Sequence, residues 1–394
     1  MYFISNSSIE QDNVTILWYN THGIGLEEVL KVLTETAKRL FKTDAPFAIA
    51  MWDFSWLERR WPGGGYDNWD TSLSELAERG YNAVRIDAYP HLVSKDLKRE
   101  WTLNPVWTTQ DWGASEETTV CLKDSLIAFL RSAREHNIMV GLSTWFRQDK
   151  GHAEMEIKTP ENHAEIWIKT LDYIKEMGEL DNILYVDFCN EWPLLDWAPF
   201  LGERFTFFDE KSISWMKRAT DELKKHYPDI PVTFSCVGNS RLLLDMDVSY
   251  LDFLEPHIWM PTVSDFYKKI GYNYERFDDI GYKNLVMNGE KEYLSNKDYY
   301  DKCLVDGIQL LAEWSHKSGK PLVTTECWAI VDYKDMPGLS WDWVIELNHL
   351  GVETAVSTAC WAGMATSNFC GPQFKGMWSR IEWHKEMTGI IKRE

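Results

Sequence analysis

Short runs of apolar and β-branched residues recur along the chain, and between most of them the apolar positions change to helical spacing. Eight runs read as strands: Phe47–Met51, Ala83–Ile86, Ile138–Ser143, Ile183–Phe188, Val232–Ser235, Phe253–Pro256, Leu322–Thr325 and Ala355–Cys360. Between them, Ala164, Trp167, Ile168, Leu171 and Ile174 share one helix face, with Gly178 placed to end that helix. Tyr299–Ser318 repeats the pattern and is closed by Gly319 and Pro321. Asp70–Arg79, Lys123–Glu135, Lys211–His226, Trp341–Leu350 and Ser379–Lys392 supply further helices, whereas the fifth strand is followed only by a short one near Arg241–Asp245.

Strands that alternate with helices imply parallel strands joined by crossovers, and eight of them imply an α/β fold of the closed (β/α)8 TIM-barrel type. A doubly wound open sheet is the weaker alternative. Connections from helix to strand are brief (Gly80–Asn82, His136–Asn137, Gly319–Lys320), but those after strands are long: Asp87–Leu122, Thr144–Pro160, Glu191–Glu210 and His257–Asp298. In a barrel those long βα loops gather at the C-terminal face, where active sites lie. Met260–Asp298 is long enough to form a small lid. Residues 1–46, with a candidate helix Gly25–Phe41, read as an N-terminal extension packing on the barrel, and residues 47–394 as the barrel itself. No repeat or low-complexity linker divides the chain.

Composition narrows the partners. A formal charge of -20 opposes any phosphate-bearing partner, so nucleic acid is not expected, and no stretch approaches a membrane span. Met1–Asn20 lacks a basic start followed by an apolar core, which makes a cytoplasmic location the expectation. Seven cysteines form no CxxC pair, and HxH or HExxH spacing is missing, so neither a zinc site nor a cofactor is expected.

Tryptophan is abundant at 21 residues, and Trp52, Trp56, Trp145, Trp192, Trp197, Trp259, Trp328 and Trp361 fall at or soon after predicted strand ends. A flat indole offers apolar contact to the CH faces of a sugar and an N–H to its hydroxyls, so an aromatic-walled carbohydrate pocket is implied. Two carboxylates also close predicted strands: Glu191, in Cys189-Asn190-Glu191, and Glu326, after Thr324-Thr325. A charge at the end of a buried strand is tolerated only when paired, hydrogen-bonded or solvated in a cleft. Glycoside hydrolysis needs two carboxyl groups, one to protonate the departing oxygen and one to attack or activate water.

With Asn190 before the first glutamate and Thr-Thr before the second, the chain resembles a clan A glycoside hydrolase, nearest to family 5, the cellulase family. The resemblance runs from Phe47 to about Gly363. It implies that Glu191 is the acid/base at the end of strand four and Glu326 the nucleophile at the end of strand seven. By the same resemblance Arg85, in Ala83-Val84-Arg85-Ile86-Asp87, supports the nucleophile, His257, in Glu255-Pro256-His257-Ile258-Trp259, is the strand-six histidine, and Trp361 is the strand-eight tryptophan. Trp259 departs from the usual tyrosine, and Trp145 from a polar strand-three residue, which bears on the sugar recognised. Asn190 is expected on the sugar 2-hydroxyl, and Trp328, Asp53, Asp87 and His91 are further candidates near the mouth.

Arg85 would then keep Glu326 ionised, and low solvation under Trp192 or Trp259 would favour a protonated Glu191. A retaining mechanism requires the carboxyl groups about 5 to 5.5 Å apart, an inverting one roughly 6.5 to 9.5 Å. The expected substrate is a β-linked glycoside or oligosaccharide. Two other readings fit the residues: a non-catalytic sugar-binding barrel, and an isomerase or metal-dependent hydrolase on the same fold.

Overall fold

The computed structural model describes residues 26–50, 53–95, 99–238, 240–273 and 279–393. Most of the N-terminal extension, Gly25, Met51 and Trp52 lie outside these residues.

Parallel strands β1 (Phe47–Ala50), β2 (Ala83–Asp87), β3 (Met139–Ser143), β4 (Ile183–Asp187) and β5 (Val232–Thr233) follow one another in a sheet. That sheet continues on the other side of β1 through β8 (Trp361–Ala365) to β7 (Leu322–Thr324). β6 (Pro256–Trp259) closes the ring. It pairs with Cys236–Val237, which prolongs β5, and with Cys327–Trp328, which prolongs β7. The result is the α/β barrel that the alternating pattern implied.

Outside the strands pack α1 (Leu26–Phe41), α2 (Trp69–Glu78), α3 (Leu122–Glu135), α4 (Pro160–Glu176), α5 (Glu210–His226), α6 (Lys297–Ser318), α7 (Asp342–Ser357) and α8 (Ile381–Lys392). Their ends follow local chemistry. The Asn68 side chain accepts from Thr71 N ahead of α2, and Thr159 accepts from Asn162 N with Pro160 opening α4. Gly319, at φ 70°, closes α6. As expected, a short turn at Arg241–Asp245 stands where a fifth crossover helix would be. Among the described residues no helix is long and apolar enough to cross a membrane.

Inward side chains Phe47, Ile49, Ala83, Tyr185, Phe253 and Val323 fill the lower barrel. Phe41 at the end of α1 plugs it from beneath, with ring centroids 5.1 Å from Phe47 and 5.3 Å from Phe253. With the floor sealed, access to the barrel axis is left to the opposite, C-terminal face.

Two expectations are corrected. The run Ala355–Cys360 is not a strand: α7 continues to Ser357, and the eighth strand starts at Trp361. Val352, Thr354 and Val356 suggest β propensity, but the buried side chains Val344, Leu347, Val352 and Ala355 keep the helical period against the barrel. Gly351 is not a stop signal, because a Cβ there would lie 2.6 Å from Trp328. The sixth strand is likewise displaced from Phe253–Pro256 to Pro256–Trp259.

Candidate active site

Residues two apart on a strand share a face, and at the C-terminal ends of barrel strands the inward set converges. Arg85 on β2 stands at the centre of that set, fully buried. Its Nη2 donates to Asp187 Oδ2 on β4 at 2.6 Å, to Asn190 Oδ1 at 2.8 Å, and to Ser143 Oγ at 3.0 Å. Nη1 donates to Glu326 Oε1 at 3.2 Å, and Nε faces Glu255 Oε1 at 3.4 Å. Thus one guanidinium serves three carboxylates.

Glu191 leaves β4 with φ 47°, a left-handed conformation that costs a side-chain-bearing residue on the order of 1 kcal/mol and turns it across the mouth. Its backbone N–H is held by Ser235 Oγ at 2.9 Å. Its carboxylate accepts from Trp197 Nε1 at 3.0 Å through Oε2, and from His257 Nδ1 at 3.2 Å through Oε1. The same Nδ1 lies 3.6 Å from Glu326 Oε1, so the imidazole bridges the two glutamates. One oxygen of Glu191, one of Glu326 and a ring nitrogen of His257 all lie within 4.8 Å of one another.

Four carboxyl groups, Asp187, Glu191, Glu255 and Glu326, therefore face two cations. Burial pushes Glu326 up to about 8, with Glu191 adding to the rise and His257 and Arg85 opposing it. Arg85 was expected to keep Glu326 ionised; burial outweighs the guanidinium, which is also shared with Asp187 and Glu255. For His257 burial works against the charge, but Glu326, Glu191 and Glu255 outweigh it and hold the imidazole at about 10. The three atoms named above are close enough for a divalent ion to join them. To bind one, His257 would first have to give up its Nδ1 proton.

The remaining candidates separate into two groups. Trp259 ends β6 with its ring 5.9 Å from His257, and its Nε1 has no partner among the described residues. Asn190 Nδ2 is likewise buried without a partner. Trp145 follows β3, carries the Arg85 guanidinium 4.7 Å from its ring, and lines a cavity of about 290 Å³ together with Trp107 and Trp197. Trp197 also touches Glu191, so this cavity adjoins the carboxyl pair. These residues come together.

Trp361 does not join them. It opens β8, in register with Leu322 at the lower end of β7, and lines a cavity at the barrel floor with Leu33, Ala37 and Lys392. Trp328 turns against Gly351 of α7 and donates Nε1 to Ala365 O at 2.9 Å, and Trp192 donates to Ser212 of α5. Trp56 packs on Phe129 of α3. Asp53 is fully buried and accepts from Ser55 N at 2.7 Å, while burial pushes it up to about 7. Asp87 accepts from Tyr89 N and Trp145 N, and His91 bonds Arg147 O, so both fasten loops.

Asp187, Glu255, Ser143, Ser235 and Trp107 were missed from sequence. A signal existed for the two acids: each interrupts a buried apolar run, as Glu191 and Glu326 do, and so demands a partner. The serines and Trp107 carried none.

A family model for sugar-binding cellulase-like proteins matches residues 49–392. A structure from Parabacteroides distasonis, named only provisionally as a glycoside hydrolase, is 48% identical, superposes with a TM-score of 0.86, and covers 88% of this chain and 94% of its own. An endocellulase of Pyrococcus horikoshii in complex with cellotetraose is 13% identical with a TM-score of 0.51, covering 86% of this chain and 92% of its own. A family 5 mannosidase of Rhizomucor miehei is 12% identical with a TM-score of 0.50, covering 88% and 95%. The last two bear on the fold alone. No curated protein matches the chain. Match length and identity together establish that the chain belongs to the sugar-binding cellulase-like family.

Proposed function

We propose that the chain is a retaining glycoside hydrolase acting on β-linked glycosides or oligosaccharides, with Glu326 as nucleophile and Glu191 as acid/base. The observation that carries this is the approach of the two glutamates, with carboxyl oxygens within 4.8 Å and His257 between them. So close an approach of one oxygen from each glutamate suits a retaining pair, in which one carboxylate attacks the sugar directly.

In the first step a Glu326 oxygen bonds to the anomeric carbon as the glycosidic C–O bond breaks, and Glu191 gives its proton to the departing oxygen. In the second, Glu191 takes a proton from water, the resulting hydroxide bonds to the same carbon, and Glu326 departs as carboxylate. The first step requires the proton on Glu191 and not on Glu326. With the free pair holding a proton near neutral pH, only a short transfer separates the resting from the reactive arrangement. Loss of the Glu326 charge in the ester then eases ionisation of Glu191 for the second step.

Trp197, donating to Glu191, adjoins the cavity on the acid/base side, which suits that cavity to the leaving group. Among the described residues, Asn190 Nδ2 and Trp259 Nε1 are donors available to sugar hydroxyls. The test is intact-mass analysis after exposure to a panel of activated 2-deoxy-2-fluoro β-glycosides. A covalent sugar mapped to Glu326, and missing in Glu326→Gln, is expected. A first product of inverted anomeric configuration would refute retention.

A further inference from the structure

Glu255 lies two residues before His257, so both project into the barrel, yet the two-step reaction uses no carboxylate at that position. It is fully buried. Its Oε1 accepts from Thr325 Oγ1 at 2.7 Å, lies 3.4 Å from Arg85 Nε and 4.0 Å from His257 Nε2, and its Oε2 has no partner among the described residues. Arg85 is already bonded to Asp187 and Glu326, so Glu255 makes a third carboxylate on one guanidinium. A buried charge of this kind needs a further cation close by.

The hydrogen bonds say which. Thr325 gives its single hydroxyl proton to Glu255, so towards His257 Nε2, 3.4 Å away, it has only a lone pair to offer. The opposite nitrogen, Nδ1, faces only carboxylate oxygens, those of Glu191 and Glu326. With the pair's own proton on an oxygen turned away from Nδ1, acceptors on both sides require a proton on both nitrogens, which makes the ring an imidazolium. The other titratable or charged groups around this pair are Arg85 from β2, Tyr185 and Asp187 from β4, and Cys236 beyond β5. Of these only Arg85 is a cation, so an uncharged His257 would leave Glu255 to share it with two other acids.

Resting on the retaining reaction above, we propose that Glu255 is a positioning residue: it holds His257 as an imidazolium whose Nδ1–H ties Glu191 and Glu326 into one proton-sharing pair. Glu255 acts through His257 and touches neither substrate nor the reacting carbon. Its effect falls on the protonation of the pair, and therefore on the pH profile, more than on substrate affinity.

The test is an imidazole ¹⁵N NMR titration of the whole protein, with His257 assigned by difference against His257→Gln, in wild type and in the near-isosteric Glu255→Gln. A doubly protonated ring at pH 7.5 is expected in wild type. In Glu255→Gln the midpoint should fall by about 1–3 pH units, the usual effect of removing an opposite charge at this range. The basic limb of kcat/KM should move with it, KM staying near wild type. A neutral wild-type ring at pH 7.5, or an unmoved midpoint in Glu255→Gln, overturns the proposal; should that variant not fold, the wild-type spectrum decides. The titration is read without substrate, so failure to hydrolyse any glycoside would count against the reaction and not against the imidazolium.

Discussion

Replacing Arg85 by Met keeps most of the side-chain volume and removes the guanidinium that Asp187, Glu255 and Glu326 share at 2.6, 3.4 and 3.2 Å. Removing one partner of a buried ion pair typically costs about 3–5 kcal/mol, because the charge left behind has lost both water and counter-ion. For a chain of 394 residues the unfolding entropy is on the order of 0.8 kcal/mol/K, so that cost lowers Tm by roughly 4–6 °C at pH 7. The difference must depend on pH in a definite direction. Burial opposes the Glu255 charge, but Arg85 and His257 outweigh burial and hold its carboxyl below the ordinary value of 4.5. Its share of wild-type stability is therefore present above that pH and is lost as pH falls below it. In Arg85→Met Glu255 rises instead, Asp187 and Glu326, already raised by burial, rise further, and all three take up protons as the solution is acidified. Wild type and variant should thus be furthest apart near neutrality and converge towards pH 4. Scanning calorimetry across that range checks this without any substrate. A variant melting within a degree of wild type, or a gap that stays constant with pH, would refute the shared-guanidinium account.

Glu191→Gln should lower turnover by roughly 10²–10⁴-fold on glycosides with poor leaving groups. Aryl glycosides whose leaving groups need no proton should lose far less in glycosylation, as steady-state and burst kinetics would report. Trp197→Phe removes the indole donor to Glu191; a hydrogen bond to a charged group is worth about 1.5–3 kcal/mol, so a fall in kcat of roughly 10–100-fold is expected, with little change in unfolding. Trp361→Phe should leave kcat/KM near wild type, since this residue lines the floor cavity, whereas Trp259→Ala should raise KM on the same substrate. Gly351→Ala presses a methyl against Trp328 and should destabilise the protein by about 1–3 kcal/mol in denaturant unfolding.

The first four strands were readable because each is a short apolar run beside a helix with clear start or stop residues. β8 was displaced because the β-branched tail of α7 imitates a strand, and only its packing against the barrel restores the helical reading. That displacement carried Trp361 from the mouth to the floor. The tryptophans divided for a related reason. Sequence position puts an indole near a strand end, but the side chain can turn inward, as at Trp259, or outward to a helix, as Trp192 does towards Ser212.

By itself the sequence determined the α/β alternation, the long loops on one face, and two glutamates that follow strands and so had to meet at a barrel mouth. Those are local properties, written in periodicity and in the cost of burying a charge. Only the tertiary structure decided what surrounds that pair. Arg85 reaches Asp187 and Glu326 across separations of 102 and 241 residues, and His257 reaches Glu191 across 66. Such contacts exist once the ring of strands closes and brings residues distant in sequence to one level. The sharing of one guanidinium among three carboxylates, which sets the charge of the whole site, is a consequence of that closure and has no local signature.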